Sequence, residues 1–188
     1  MPTVPSDLVG SEPVALDADG LVSTPSDALA LYAKVLSDGD AADPDDILAE
    51  NPYQTNVHAQ IQAEREMLNQ VQNAEDADRD EYATIKEVYT VGEEEFAGLR
   101  TDDGGAIVMA TFTSTRTMTL LNEATVTLDS DNEFYGRYIE LIGTSTLTEK
   151  FVRSFGTTVA LFIPPSAEAG GQIQPIGATR VPLGASGS

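Results

Sequence analysis

The sequence predicts an α+β domain whose N-terminal helices pack on a strongly curved antiparallel sheet, and three observations carry that prediction. From Ala106 the even positions read Ala106, Val108, Ala110, Phe112, Met118 and Leu120, while the odd positions from Thr111 to Thr119 are all threonine. A period of two over this length marks a strand with one face on a core and one in water. Before residue 72 the apolar residues recur at helical spacing, and after residue 82 they alternate. The charge follows the same division: residues 1–103 hold 24 acids against five bases, and residues 104–188 hold seven against five.

The elements follow in order. Residues 1–22 carry three prolines, two glycines and no sustained periodicity, which predicts a linker or extended arm. Thr24-Pro25-Ser26-Asp27 starts a helix: threonine caps, proline fits the first position, and aspartate favours the positive end of the dipole. Leu29, Tyr32, Val35 and Leu36 form its stripe, ended by Ser37-Asp38-Gly39-Asp40. Asp43-Pro44 can open a short second helix. Asn51-Pro52 opens a longer one with Val57, Ile61, Leu68 and Val71 on its apolar face, and with Glu64, Arg65, Glu66 and Gln70 turned mostly to water. It dissolves in the acidic run 75–80.

Two strands are expected over 83–91 and 96–101, joined to a third, 106–120, by the turn Asp102-Asp103-Gly104-Gly105. Residues 122–128 read as a fourth strand or a continuation past a bulge. Phe134, Tyr138, Leu141 and Ile142 return at helical spacing. Leu147–Ile163 is the longest strand, with Phe151, Phe155, Val159, Leu161 and Ile163 on one face, and Pro164-Pro165 ends it. Residues 167–171 turn the chain into a last strand, 172–183. The domain is drawn as 23–184, with 185–188 a tail.

Composition excludes several functions. A chain of 188 residues is one domain with tails, and 41% hydrophobic residues suit a globular fold. Cysteine is absent, so disulfides, thiol catalysis and thiolate metal sites are excluded. No run approaches the roughly 18 apolar residues of a membrane span, and no basic-then-apolar leader opens the chain. A net charge of −21 repels phosphate backbones and anionic headgroups, so neither nucleic acid nor an acidic membrane surface is an expected partner. No cofactor is expected.

Helices followed by a meander of long strands is the element order of the cone-shaped fold of nuclear transport factor 2 and the SnoaL-type cyclases. A cystatin-like helix on a sheet is the competing architecture. The stretches Ala28–Asp40, Leu99–Ala106 and Thr158–Pro165 occur here in that order. Together they resemble an uncharacterised domain of secreted lipoproteins and envelope proteins from actinobacteria, from about Ser23 to Gly184. The resemblance implies an extracytoplasmic protein, secreted or lipid-anchored, with residues 1–22 as its tether. It brings no established activity.

Candidate chemistry is sparse. His58 is the only histidine, and a triad or a two-histidine metal site needs further placed partners, so a structural or surface role is expected. Only in a cone could it face a pocket and act as a base with a carboxylate. Asp17 with Asp19, and Asp129 with Asp131, look superficially like calcium loops, but neither completes the twelve-residue ligand pattern. Adjacent Asp102 and Asp103 point apart on a turn, unlike the spaced carboxylates of a glycosidase. Arg100 and Arg116 are expected as sheet-surface cations, with pocket lining as their alternative. The threonine face is a solvent face or a docking surface for another envelope protein. These features favour a non-enzymatic binding or accessory domain of a cell-envelope protein, with a SnoaL-like enzyme or ligand binder and a structural subunit of a surface assembly as alternatives.

Overall fold

The Thr24 side chain accepts the Asp27 amide at 3.2 Å, so the chain turns at Pro25 into α1 (Pro25–Asp38). Asn51 does the same for α2 (Pro52–Leu68), accepting the Gln54 amide at 3.1 Å. Between them only a single 3-10 turn forms, at Asp40–Ala42, in place of the expected short helix. The structure, a computed structural model, describes residues 12–69, 80–166 and 170–188, with the backbone alone at 93–95 and 133–134. Gln70, Val71, the acidic run 75–79, the Phe134 side chain and residues 167–169 of the expected turn lie outside the described residues.

Asn69 ties the end of α2 to the sheet. Its Oδ1 accepts the amides of Glu81, Tyr82 and Ala83, and its Nδ2 donates to the Ala83 carbonyl. The two strands expected over 83–101 are one, β1 (Ala83–Arg100), with a register shift between Val91 and Phe96. Gly92 lies in that bulge, where a Cβ would stand 2.7 Å from the Thr111 carbonyl oxygen. The Asp102–Gly105 turn forms as expected, with Gly104 at φ +85°. Thr101 and Gly105 donate to the Asp103 carboxylate, and chiefly the Thr101 hydroxyl holds Asp103 below the usual carboxylate pKa.

Strand β2 (Ala106–Leu120) has the expected bounds and alternation. A two-stranded ribbon of β3 (Val126–Thr127) and β4 (Thr146–Leu147) flanks α3 (Glu133–Ile142), so the segment 122–128 supplies only two strand residues. Strands β5 (Lys150–Ile163) and β6 (Gln174–Gly187) complete a sheet of order β1-β2-β5-β6, antiparallel throughout. The fold is α+β, with three α-helices among the described residues and a large antiparallel sheet. No helix among them is long and apolar enough to cross a membrane.

Both expected tails are corrected where they are described. Pro13 bridges to Leu99, Leu21 bridges to Pro165, and the Val14 amide donates to the Gly98 carbonyl at 2.9 Å. Val14 and Leu21 are buried, so residues 12–22 are part of the folded unit rather than a free linker. At the other end β6 runs to Gly187, and the Ser188 carbonyl accepts the amides of Thr148 and Glu149.

The helices cover the even face of β2, and the core there is divided in two. One cluster joins α1 to Val108, Phe112, Val159 and Ile163, with Val57 and the half-buried Ile61 of α2 at its border. The other joins Met118, Phe151, Leu128 and Leu147 to Tyr138 of α3, with Leu68 packed against it. Phe112 is fully buried with its ring 6.1 Å from that of Tyr32, so α1 takes the place expected for the longer α2. The threonine face is the uncovered one: Thr113 and Thr115 are exposed.

Candidate functional site

What separates the two clusters is charged. Register aligns Glu87 of β1 with Arg116 of β2, and Arg116 with Arg153 of β5, all on the covered face. Two arginines directly opposite on neighbouring strands repel unless acids bridge them. Glu64 of α2 does so, 2.6 Å from Arg153 Nη2 and 3.4 Å from Arg116 Nη1. Glu87 accepts from Arg116 Nε at 2.7 Å, from the Ser114 hydroxyl at 2.7 Å and from Arg180 Nη2 at 2.5 Å. Arg180 reaches there from β6, its guanidinium 3.5 Å from the Phe155 ring centroid.

Exposure of 2% at Glu87, 5% at Arg116 and 3% at Arg153 makes this a buried ion network. Buried charges hold only with partners, because desolvation costs several kcal/mol per ion. Among the described residues pairing is incomplete: three guanidiniums share two carboxylates, and Arg116 Nη2, Arg153 Nε and Arg180 Nε are buried without a hydrogen-bond partner. Beside the network the Tyr53 hydroxyl lies 3.4 Å from those of Tyr89 and Thr157. Burial, reinforced by the Glu87 charge, pushes the Tyr89 phenol well above its ordinary value.

Two cavities bear on the site, and only the first shares a residue, Glu64, with the network. A small one of about 190 Å³ is lined by Glu64, Met67, Met118, Leu128, Asp129 and Phe151, among others. A larger groove of about 540 Å³ runs between α3 and β6, lined by Arg137, Tyr138, Leu141, Pro182 and Leu183, among others. Leu141 and Leu183 are each 62% exposed, and Ile176 and Val181 of the same strand are exposed too. Among the described residues β6 pairs only with β5, which leaves its outer edge open.

The residues singled out from sequence do not gather into a site. His58 is half-buried, with Nε2 3.3 Å from the Leu36 carbonyl oxygen. Since that oxygen only accepts, the ring carries a proton there and ties α2 to the end of α1. Arg100 donates to the Asp19 carbonyl at 2.6 Å and the Gly104 carbonyl at 3.2 Å, pinning the N-terminal arm to the hairpin turn. Arg116 is not a surface cation: it falls on the even, covered face and sits inside the ion network. Glu64, expected in water, is drawn inward by the same two arginines.

Asp17, Asp19, Asp129 and Asp131 are exposed; Asp129 accepts the Asp131 amide at 2.9 Å in a local turn. Among the described residues no group of three or more metal-ligating side chains comes together. Glu87, Arg153 and Arg180 were missed by sequence reasoning. For Glu87 and Arg153 the signal is a polar break in an otherwise apolar strand face, Glu87 between Ile85 and Tyr89 and Arg153 between Phe151 and Phe155, matching that of Ser114 and Arg116 between Phe112 and Met118. Comparison with known proteins finds no matching family model, no matching curated protein and no matching solved structure.

Proposed function

We propose that this chain is a non-enzymatic binding domain of a bacterial cell-envelope protein, extracytoplasmic and built on the nuclear transport factor 2 plan. The observation that carries the binding reading is the apolar groove between α3 and the open edge of β6, with Leu141 and Leu183 exposed in a chain of net charge −21. Exposed apolar side chains clustered in an otherwise charged molecule mark an interaction surface. A strand edge with free amides and carbonyls accepts an extended segment, and alternate side chains of that segment then fill the groove. The occupant this favours is an extended, apolar and net-basic segment of a partner protein, drawn in by the acidic field. The envelope setting rests on the family resemblance. The plan is supported by two capped helices preceding a long hairpin and two further antiparallel strands.

The groove and edge differ from the threonine face as a docking surface, and crosslinking separates them. A photoreactive residue at position 183 is expected to capture one defined envelope protein, and the same residue at position 115 is not. Association of the purified pair should weaken as salt rises, and Leu141→Glu should abolish it without lowering the melting temperature. Capture from position 115 alone would move the interface to the threonine face. Binding that survives Leu141→Glu would remove the groove from it.

A further inference from the structure

Among the described side chains, the uncovered face of the sheet carries no acid. That face consists of the odd positions of β2, the even positions of β5, and the residues of β1 and β6 that pair with them. None of these is aspartate or glutamate, in a chain with 31 acids, and the only charges are Lys86 and Lys150, both at one end. Residues 93–95, placed by backbone alone, lie in the bulge of β1 at the edge of the sheet. Val88, Leu99, Met109 and Val181 are large, apolar and exposed on this face. Its middle row, Thr90, Thr113, Gly156 and Val181, crosses all four strands on short side chains, so another flat surface can lie against it.

We propose that this face binds the same face of a second copy of the chain, sheet on sheet, in a two-fold dimer. Charge selects the occupant. A basic partner finds no carboxylate there, an acidic one finds only two lysines at one end, and a second copy meets a surface as neutral as its own. A sugar would want exposed aromatic rings, and the one aromatic residue on the face, Phe162, is buried. Area agrees: four strands about 4.8 Å apart and 14 residues long at about 3.3 Å each span about 650 Å². Two copies in full overlap bury about 1,300 Å², at the low end of the roughly 1,200–2,000 Å² of a stable interface. Packed sheets keep their strands nearly aligned, so the two-fold axis runs either along the strands or across them. Along them, lysine would meet lysine. Across them, Lys86 and Lys150 lie over the end carrying Leu99 and Met109, where their stems cover apolar surface, and Thr113 at the middle of β2 falls on the axis. The dimer does not use the α3–β6 groove, and a copy caught through position 115 is this chain, not the groove's envelope partner.

Sedimentation equilibrium of the full chain tests the proposal. A monomer–dimer equilibrium is expected below about 100 µM, since interfaces of this class begin in the micromolar range. It should tighten as salt rises, because two chains of net −21 repel at long range and no ion pair holds the contact. That is the opposite of the salt dependence expected for the basic partner of the groove. Thr113→Glu and Thr113→Arg, at an exposed position, each set like charges against one another on the axis, and each should weaken the dimer about tenfold or more. Mixed in equal amounts, the two variants should form a heterodimer at least as tight as the parent, which a misfolded variant would not do. A chain that stays monomeric at every concentration and salt would overturn the dimer. Dimers as tight in Thr113→Glu as in the parent would overturn the face, and failure of the mixture to associate would overturn the axis through Thr113.

Discussion

Phe112 has no exposed surface and stacks obliquely on Tyr32, so its ring fills the contact between α1 and the middle of the sheet. Phe112→Ala should therefore lower stability by about 3–5 kcal/mol, the cost of a large core truncation, read as a lower urea midpoint with unchanged slope. Glu87 is a different kind of core residue. Glu87→Gln keeps the shape but leaves Arg116 and Arg180 without their shared charge, and the expected loss is again about 3–5 kcal/mol. His58 does much less: His58→Ala leaves the Leu36 carbonyl to water or to nothing, a loss of about 1 kcal/mol with the fold intact. Tyrosine supplies the pH dependence. Burial raises the phenols of Tyr32 and Tyr89 above their ordinary value of 10.0, so the folded state keeps protons that the unfolded state releases. Their contribution is complete below that value and is lost as pH rises beyond it. The melting temperature should be level to about pH 9 and fall above about pH 10, less steeply in Tyr89→Phe.

At the scale of elements, legibility followed how local the controlling physics is. The start of α1 depends on Thr24, Pro25 and Asp27, and the β1–β2 turn on aspartate and glycine, so both could be read from neighbours in sequence. β2 was legible end to end because its period of two is internal to the strand. β1 was read as two strands because a bulge preserves pairing across residues that break the alternation, and pairing belongs to the partner strand. The ion network was illegible for the same reason. Arg116 looks like a solvent cation until register sets it opposite Arg153 and beside Glu87, and until α2 lowers Glu64 onto both. The N-terminal arm shows the limit most plainly, since Val14 and Leu21 have no periodicity and are held by β1 and the end of β5. Val14→Asp should unseat the arm by burying a charge with no partner. Limited proteolysis within residues 12–22 is then expected to speed up, while the sheet's amide protection persists.

At the scale of the whole molecule, charge is the largest unbalanced quantity. The net −21 is carried mainly by the helical half, where solvent-facing acids outnumber bases, whereas most of the arginines of the second half turn inward to the network. A compact state with such an excess repels itself, and salt screens exposed charges over about 10 Å at 0.1 M. The network is shielded from this by burial, so added salt should relieve the surface repulsion without loosening the interior pairs. The melting temperature is therefore expected to rise as monovalent salt goes from about 10 mM to several hundred millimolar, equally with sodium and potassium, because screening depends on ionic strength. Millimolar calcium at fixed ionic strength should add little: Asp17, Asp19, Asp129 and Asp131 are exposed, and the Asp129–Asp131 turn already uses a carboxylate oxygen on its own backbone. A large increase specific to calcium and reversed by chelator would place an ion among these acids and remove screening as the cause. A fall in melting temperature with salt would mean that the ion network, and not the acidic surface, dominates the molecule's electrostatics.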